Sequence, residues 1–361
     1  MHTQVDIAAL LPTTNAKDPI FLGSRVRLAR NLAKYPFPQH ATREQKREIF
    51  RLCADAIMHL DTEGTSVCLR FEDLDEVECL ALMESHQVSV DLIKNKEEAG
   101  VIVNKKRHYA FMLNEEDHLR LQILGGENFK TLWRQLDRID SLLEENLEYA
   151  FQPRLGYLTA CPSNLGTGMR VSAMLHLPAL VLNNQHVQVC RALMEMGMVL
   201  RGVYGEQSKA VGHIFQISNQ TSLGSSEAEL LDSVEKTVYS LIQKEKESRE
   251  QLLSNSARKI CDLIGRAWGI LRSCIEINAE EASNLLSVII LALDLGFIQA
   301  SERRNLYVLR QRIQPAHLQL FLKKRLSVEA LSYERAKLLR AYFSKSSEPN
   351  FKIQGKELRH V

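Results

Sequence analysis

The segment Gly23–Asn31 places two arginines where they could bind a polyphosphate. It reads Gly-Ser-Arg-Val-Arg-Leu-Ala-Arg-Asn. In an extended chain, the period of two puts Arg25 and Arg27 on one face and Val26 and Leu28 on the other. Two parallel guanidinium groups can hold phosphate oxygens through bidentate contacts. The same pattern also fits a solvated basic edge of a sheet, so the segment alone leaves both interpretations open.

A second segment concentrates negative charge. Asn114–Arg120 reads Asn-Glu-Glu-Asp-His-Leu-Arg, with three consecutive carboxylates. Crowding can raise the pKa of one carboxyl, and carboxylate oxygens together with waters suit a divalent cation. An acidic turn leading into a strand is the structural alternative.

Two further segments combine glycines with arginine. Cys161–Ser172 reads Cys-Pro-Ser-Asn-Leu-Gly-Thr-Gly-Met-Arg-Val-Ser, which is neither a P-loop nor a dinucleotide fingerprint. Gly166 and Gly168 would let backbone N–H groups approach a phosphate. Arg201–Glu206 adds another arginine and carboxylate, although Gly202 could simply end a helix.

Hydrophobic periodicity predicts the elements that position these segments. Short alternating runs predict strands at Ser66–Phe71, Gly100–Val103, His118–Ile123 and Gly212–Ile217. Helical spacing covers Asn184–Val203, and a capping signal at Ser226 opens a helix to about Ser254. Later helices are expected to be separated near Asn278, Gly296, Pro315 and Ser327, and the polar tail after Ser344 is expected to fray. The pattern therefore predicts an α+β domain over residues 1–254, an all-helical domain over 255–345 and a tail over 346–361.

Composition excludes several classes of protein. The chain has 361 residues, 45% hydrophobic and 25% charged, which excludes a disordered protein. A formal net charge of +2 gives no support for a nucleic-acid or membrane-surface binder. Seven dispersed cysteines without a C-x-x-C pair, and a start without a secretory signal, predict a reducing cytoplasmic location. The longest apolar stretch, 285–298, is too short to span a bilayer.

Together, the order and spacing of these segments resemble the phosphagen (guanidino) kinase family. The resemblance covers Gly23 to about Glu227, and its most specific blocks are Asn114–Arg120 and Cys161–Thr167. It implies an antiparallel sheet flanked by helices and ATP as the phosphoryl donor. The arginines that it assigns to the nucleotide phosphates are Arg25, Arg27, Arg120, Arg170 and Arg201. The rest of the implied nucleotide site comprises Ser24, Val26, His86, Val171, Ser172, Ala173, Met174, Gly202, Val203, Tyr204, Gly205 and Glu206.

The resemblance also implies the catalytic groups. Glu116 and Glu206 would grip the acceptor guanidinium and accept its proton, and the Cys161 thiol would steer it without a covalent intermediate. Mg²⁺ would be held by nucleotide oxygens and by waters that Glu115, Asp117 and Glu206 orient.

One branch of the family, the bacterial protein-arginine kinases of the McsB type, matches best. The arginine motif starts at Gly23, which leaves no room for the N-terminal helical domain of small-molecule members, and the helical region after about residue 255 matches this branch. This implies protein substrates, a role in quality control with a Clp-type unfoldase, and a zinc-binding activator of the McsA type. A homodimer through the helical region is also expected. The apolar stripe behind that expectation is Leu285, Leu286, Ile289, Ile290 and Leu293.

Two other functions stay open at this stage: a kinase of a free guanidino metabolite such as arginine, and a non-catalytic phosphoarginine-binding adaptor. The intact set of arginines and carboxylates argues against the adaptor.

One departure from the family pattern concerns regulation. Where many McsB-type kinases have an Arg-Asp-x-x-Arg-Ala motif that binds phosphoarginine, this chain has Leu331-Ser-Tyr-Glu-Arg-Ala336. Leu331 and Ser332 replace the arginine and aspartate, so free phosphoarginine is not expected to activate the protein.

Overall fold

A single antiparallel sheet of eight strands organises the chain. The computed structural model describes residues 19–104, 106, 108–126, 128–202, 210–299, 303–353 and 356–357. The strands are β1 (Phe21–Arg30), β2 (Ser66–Arg70), β3 (Gly100–Asn104), β4 (Tyr109–Leu113), β5 (Leu119–Gly125), β6 (Phe151–Gln152), β7 (Gly156–Tyr157), β8 (Met169–His176), β9 (Met198–Gly202), β10 (Ile214–Asn219), β11 (Lys352–Ile353) and β12 (Lys356–Glu357). The sheet order is β2-β3-β4-β5-β1-β8-β10-β9, while β6–β7 and β11–β12 form separate two-stranded pairs.

Helices flank the sheet and make up most of the C-terminal third. They are α1 (Arg43–His59), α2 (Glu76–Glu84), α3 (Val90–Lys94), α4 (Phe129–Glu144), α5 (Pro178–Leu182), α6 (His186–Glu195), α7 (Glu227–Ser273), α8 (Ala279–Asp294), α9 (Arg303–Arg312), α10 (Pro315–Leu322) and α11 (Val328–Phe343). We call the part of α7 after Ser256, together with α8–α11, the C-terminal helices. Capping boxes begin α1 at Thr42 and α7 at Ser226.

One face of the sheet is apolar and fixes the register of the central strands. Val26 of β1 lies opposite Ile123 of β5 and Val171 of β8, and all three side chains are buried. Helices α1, α4 and the first part of α7 pack on this face and complete one core. Because the side-chain period is two, slipping β1 by one residue would drive its arginines into this core.

The opposite face of the sheet carries the arginines and is covered toward two of its edges. Helices α2, α3 and the start of α10 pack over β3 and β4, with Met112 and Ala316 in the shared cluster. Helix α8 packs near the end of β8, where His176 Nε2 lies 2.7 Å from Ser287 Oγ. The C-terminal helices thus lie on the same side of the sheet as the arginines.

The α+β class with an antiparallel sheet is confirmed, and so are the four predicted strands, apart from small shifts at their ends. The helix predicted over Asn184–Val203 is wrong in its second half. Helix α6 ends at Glu195, Gly197 adopts a φ of +70°, and the chain continues as β9. The apolar run Met198–Leu200 is too short for its periodicity to distinguish a buried strand from a helix.

Two C-terminal expectations also need correction. Helix α7 runs to Ser273 rather than ending near Ser254, with non-helical geometry at Ser256. The tail after Ser344 is not frayed as far as Phe351, because the N–H of Asn350 donates to the Phe297 carbonyl and the ring of Phe351 contacts Phe297. In the part of the chain that the structure describes, no helix is long and apolar enough to cross a membrane.

The C-terminal helices enclose a second core. Of the predicted apolar stripe, Leu286, Ile289, Ile290 and Leu293 are buried in it and Leu285 packs against it. The stripe is therefore accounted for within one chain, and the homodimer stays a prediction.

The Leu331–Ala336 stretch lies in the first half of α11 and does not present a phosphate clamp. Leu331 is buried, and the Ser332 hydroxyl donates to the Val328 carbonyl of its own helix. Arg335 points into the core, where its Nε donates to the Ile313 carbonyl at 2.7 Å and Nη1 to the Ile277 carbonyl at 2.9 Å. Arg335 therefore ties α11 to the ends of two neighbouring segments.

This geometry predicts a structural cost for Arg335→Ala. The substitution leaves two buried carbonyls without donors, and each charge-assisted hydrogen bond contributes about 1.5–3 kcal/mol. We expect urea denaturation to show a free energy of unfolding lower by about 2–4 kcal/mol. Lys337→Ala, on an exposed side chain of the same helix, is the matched control and should change it by less than about 0.5 kcal/mol. Equal stability of the two variants would contradict the structural role.

Candidate active site

Five arginines project from one face of the sheet, from strands β1, β5, β8 and β9. Arg27 of β1 lies opposite Arg170 of β8 on one side and Gln122 of β5 on the other. Arg120 pairs with Ala29, two residues beyond Arg27, and therefore shares its face. Arg25 lies opposite Ser172, and Arg201 of β9 opposite Gln216 of β10. The sheet register thus brings together residues that are up to 176 positions apart.

Neutral side chains hold two of these guanidinium groups in place. Arg25 donates through Nη2 to Gln216 Oε1 at 2.6 Å and through Nε to Ser172 Oγ at 3.3 Å. Arg170 donates through Nε and Nη2 to Ser218 Oγ. None of these acceptors carries a negative charge. Burial, with the charges of Arg120 and Arg170, accordingly lowers the pKa of Arg25 to about 9.

Arg27 lies at the centre of this positive cluster. It is 9% exposed, and its Nε is buried without a hydrogen-bond partner. Burial and the neighbouring charges of Arg25, Arg120 and Arg170 hold its pKa well below the usual value. A buried cation with an unsatisfied donor is costly unless an anion joins it. The charge and the unsatisfied donor of this cluster are suited to a polyanion such as a triphosphate.

The carboxylates of Asn114–Arg120 form the tight connection between β4 and β5. Asn31, at the end of β1, fixes this turn: its Nδ2 donates to Asp117 Oδ1 at 2.6 Å and its Oδ1 accepts the His118 N–H. His118 is structural, because its Nδ1 accepts the Leu32 N–H and its Nε2 lies 2.8 Å from the Pro36 carbonyl. These hydrogen bonds fix the position of the turn relative to β1, the strand that carries Arg25 and Arg27.

Glu115 connects the acidic turn to the arginine cluster. Its Oε1 accepts from Arg120 Nη1 at 2.5 Å and from the Ser89 hydroxyl, while its Oε2 is buried without a hydrogen-bond partner. Although burial opposes ionisation, Arg120 and these hydrogen bonds hold the Glu115 pKa below its usual value. The unsatisfied Oε2 suits a water bound to Mg²⁺. Among the described residues, no group of three or more His, Cys, Asp or Glu could hold a metal directly.

Glu116 has the properties of a proton acceptor. Its side chain is half-buried, and burial together with the charges of Asp117 and Glu115 raises its pKa above the usual value. A carboxylate with a raised pKa is a stronger base, and tuning of this kind is typical of general-base catalysis.

The Cys161 loop is attached to the acidic turn. Asp117 Oδ1 accepts the N–H of Ala160 at 2.8 Å, which places the loop beside the carboxylates. The Cys161 Sγ lies 3.1 Å from Ser163 Oγ. Gly166 and Gly168 serve chain packing here, because a Cβ would approach the Leu223 backbone to 2.9 Å and the Ala29 carbonyl to 2.6 Å. Their role is thus to bring the loop close to its neighbours.

His86 lies at the other end of the arginine face, after α2. Its carbonyl accepts from Gln122 Nε2, which places the residue over β5. Burial and the charge of Arg25 lower the pKa of His86 to about 3, so its ring is neutral at physiological pH. The residue lines one part of a cavity of about 1480 Å³, together with Gly23, Ser24 and Met174, and the same cavity extends along residues of α1 and α4. The five arginines do not line this cavity, which begins directly beyond Arg25.

The remaining predicted residues separate into three groups. The side chains of Val26, Val171 and Ala173 belong to the apolar core on the opposite face, and the Ser24 hydroxyl donates to the Gly125 carbonyl. Gly202 ends β9. Val203, Tyr204, Gly205 and Glu206 lie outside the described residues. Sequence reasoning missed Asn31, Ser89, Gln122, Gln216 and Ser218; the alternation in Ile214–Asn219 would have indicated the last two.

Comparison with known proteins agrees with this geometry. The sequence-family model of the ATP:guanido phosphotransferase C-terminal catalytic domain matches residues 48–248 of this chain. The family model of the protein-arginine kinase McsB C-terminal domain matches residues 257–354. A protein-arginine kinase of Clostridium kluyveri is 42% identical over 89% of this chain and 94% of its own length. One of Bacillus cereus is 38% identical over 89% and 91%.

Solved structures share the fold. Lombricine kinase superposes with a TM-score of 0.55 and 28% identity, covering 66% of this chain and 70% of its own. The duplicated taurocyamine kinase of Schistosoma mansoni, at 21% identity, reaches 0.57 over 79% of this chain and 49% of its own. With the arginine face and the acidic turn in place, these matches show that the chain is a guanidino phosphotransferase and belongs to the ATP:guanido phosphotransferase family, alongside the protein-arginine kinases.

Proposed function

We propose that this enzyme transfers the γ-phosphoryl group of ATP to arginine side chains of proteins. The observation that carries the proposal is the arginine face joined to the acidic turn through the Arg120–Glu115 pair. Support for a protein acceptor comes from relatives named protein-arginine kinase and from the match of residues 257–354 to the C-terminal domain of those kinases.

The geometry suggests how the reaction proceeds. The arginines bind the phosphates and spread the negative charge of the transition state, so positioning and electrostatics supply most of the rate. A nitrogen of the acceptor guanidinium attacks the γ-phosphorus, the bond from that phosphorus to the ADP oxygen breaks, and the proton of the nitrogen passes to Glu116. Glu206 would hold the other side of the guanidinium, on the strength of the family pattern, and Cys161 would lie beside it.

Magnesium would be bound chiefly by the nucleotide. Its role is to neutralise phosphate charge during transfer. Glu115 Oε2, which is buried without a hydrogen-bond partner, would accept a hydrogen bond from a metal-bound water, and Asp117 and Glu206 complete the proposed set.

The wider setting is proposed on the family pattern. We infer a cytoplasmic role in marking proteins for a Clp-type unfoldase, with a McsA-type activator, and a homodimer through the C-terminal helices. Exposed apolar side chains at Ile275, Val328 and Tyr333 support self-association in that region.

The product distinguishes this function from its alternatives. Incubation with ATP, Mg²⁺ and an unfolded protein should yield phosphoarginine, detected by mass spectrometry under non-acidic conditions because the P–N bond is acid-labile. A parallel incubation with free arginine tests the metabolite kinase. Phosphorylation of free arginine alone would overturn the protein acceptor, and no transfer to either acceptor would favour a binding adaptor.

The second prediction concerns the base. Glu116→Gln keeps the size of the side chain but removes the proton acceptor, so kcat should fall at least ~10²-fold. Binding of ATP, measured by calorimetry, should change little because the arginines are untouched. Glu48→Gln, at an exposed carboxyl on α1 that lies outside the acidic turn, is the control. A near-normal kcat in Glu116→Gln would place the base elsewhere.

The third prediction concerns pH. Glu116 must be ionised to accept a proton, so kcat falls as pH drops through its pKa. The charge of Asp117 raises that pKa, so Asp117→Asn should move the acidic limb of the kcat profile to lower pH. Asp91 is the weakest of the named contributors, and Asp91→Asn should produce a smaller displacement in the same direction. Movement of the limb to higher pH in Asp117→Asn would contradict the assignment.

A further inference from the structure

We propose that the C-terminal helices complete the nucleotide site and that Arg310 of α9 binds the adenosine half of ATP. The inference rests on the proposed use of ATP but does not depend on which guanidino group is phosphorylated. It makes the nucleotide site a joint product of the sheet and the C-terminal helices.

The cavity beyond Arg25 has walls from both parts of the chain. The sheet supplies Gly23, Met174 and Ile214. Helix α9 and the residues that follow it supply Tyr307, Arg310, Gln311 and Gln314 from the other side. His86 lines the same cavity between these walls.

The orientation of a bound nucleotide follows from the order of the side chains along the strands. Arg120 and the acidic turn mark the end of the arginine face where the phosphoryl group is transferred. Gly23 and Met174, which pair with each other, mark the opposite end. From Arg27 to Gly23 is four residues of strand, or about 13 Å. With the triphosphate on the arginines, the nucleoside therefore extends into the cavity that Arg310 lines.

The chemistry of this end suits a neutral aromatic base. The ring of His86 is uncharged because burial, Arg25 and Arg310 together lower its pKa to about 3. A neutral imidazole can donate and accept hydrogen bonds with an adenine edge. The planar guanidinium of an arginine can stack in parallel on an aromatic face, whereas a lysine ammonium contacts such a face only as a compact charge.

Contacts on both sides of Arg310 connect this part of the chain to the residues before β1 and to α8. The hydroxyl of Tyr307 donates to the Pro19 carbonyl at 3.2 Å, and Gln314 Nε2 donates to Ser283 Oγ of α8.

A second clamp joins the helix that follows. Glu84 accepts the N–H groups of Ala316 and His317 and lies 2.6 Å from His317 Nδ1. Glu84 is two residues before His86, so the two walls of the cavity are connected to each other. The backbone that carries Arg310 is thus held in place before the nucleotide arrives, which reduces the entropy cost of binding.

The test is nucleotide binding by Arg310→Met in the full chain, measured by calorimetry with ATP, ADP and inorganic tripolyphosphate. Methionine keeps the apolar length of the side chain but removes the guanidinium. We expect the Kd of ATP and ADP to rise about tenfold, equivalent to about 1.4 kcal/mol, and the Kd of tripolyphosphate to stay unchanged. Arg312→Met is the matched control, because Arg312 is exposed on the same helix and its guanidinium lies over Phe321; its Kd values should equal those of the wild type.

Two results would overturn the proposal: an unchanged Kd for ATP, or a loss of tripolyphosphate binding equal to the loss for ATP, which would make Arg310 a phosphate ligand. If thermal unfolding shows that Arg310→Met does not fold, Arg310→Lys replaces it and is judged by the same two criteria. Because no acceptor is present, these measurements are independent of the phosphoarginine assay. A failure of one can therefore be told from a failure of the other.

Discussion

Repulsion among the guanidinium groups on one sheet face is the constraint on which the structure depends. Beside the effect of burial, Arg120 and Arg170 lower the pKa of both Arg25 and Arg27, and Arg27 has lost almost all contact with solvent. In an isolated strand, charge repulsion would drive such side chains apart. They stay together because the opposite face of the same strands is buried in the main core, and the apolar register of β1, β5 and β8 determines where the arginines lie. The energy of burying apolar side chains thus holds a positive cluster that a polyanion can neutralise.

The Arg120–Glu115 pair lies between two parts of the site that require opposite charges. Phosphates require positive charge, whereas a base that accepts a proton from a guanidinium requires negative charge nearby. Glu115 is engaged by Arg120 and stays ionised, while the adjacent Glu116 lies among carboxylates that raise its pKa. Consecutive residues therefore serve different purposes because Arg120 is hydrogen-bonded to Glu115, whereas burial and the charges of Asp117 and Glu115 raise the pKa of Glu116. The short turn between β4 and β5, fixed by Asn31, keeps that division in place.

Local patterns in the sequence predicted which groups carry the chemistry, but they did not predict which residues contact those groups. The alternation around Arg25 and Arg27 correctly separated a polar face from a buried one, because period-two alternation is a property of the strand itself. The contacts that complete the site depend on tertiary structure: Asn31 meets Asp117 across 86 positions and Arg25 meets Gln216 across 191. No local pattern encodes those pairings. The helix expected through Met198–Gly202 is wrong for a related reason, since a short apolar run is compatible with either element until its sheet partner, β10, is known.

The position of the C-terminal helices follows from the same division of the sheet into two faces. The apolar face is already covered by α1, α4 and the first part of α7, so the later helices can pack only on the face that carries the arginines. That face is polar, and the contacts that α8 makes at the end of β8 and before β10 are polar too: Ser287 of α8 lies within hydrogen-bonding distance of both His176 and His213, and Asn284 accepts the Gly212 N–H. Hydrogen bonds of this kind depend on direction as well as distance, so a small displacement of α8 would break several of them together. The placement of the helices and the geometry of the nucleotide end of the site are therefore set by one group of interactions.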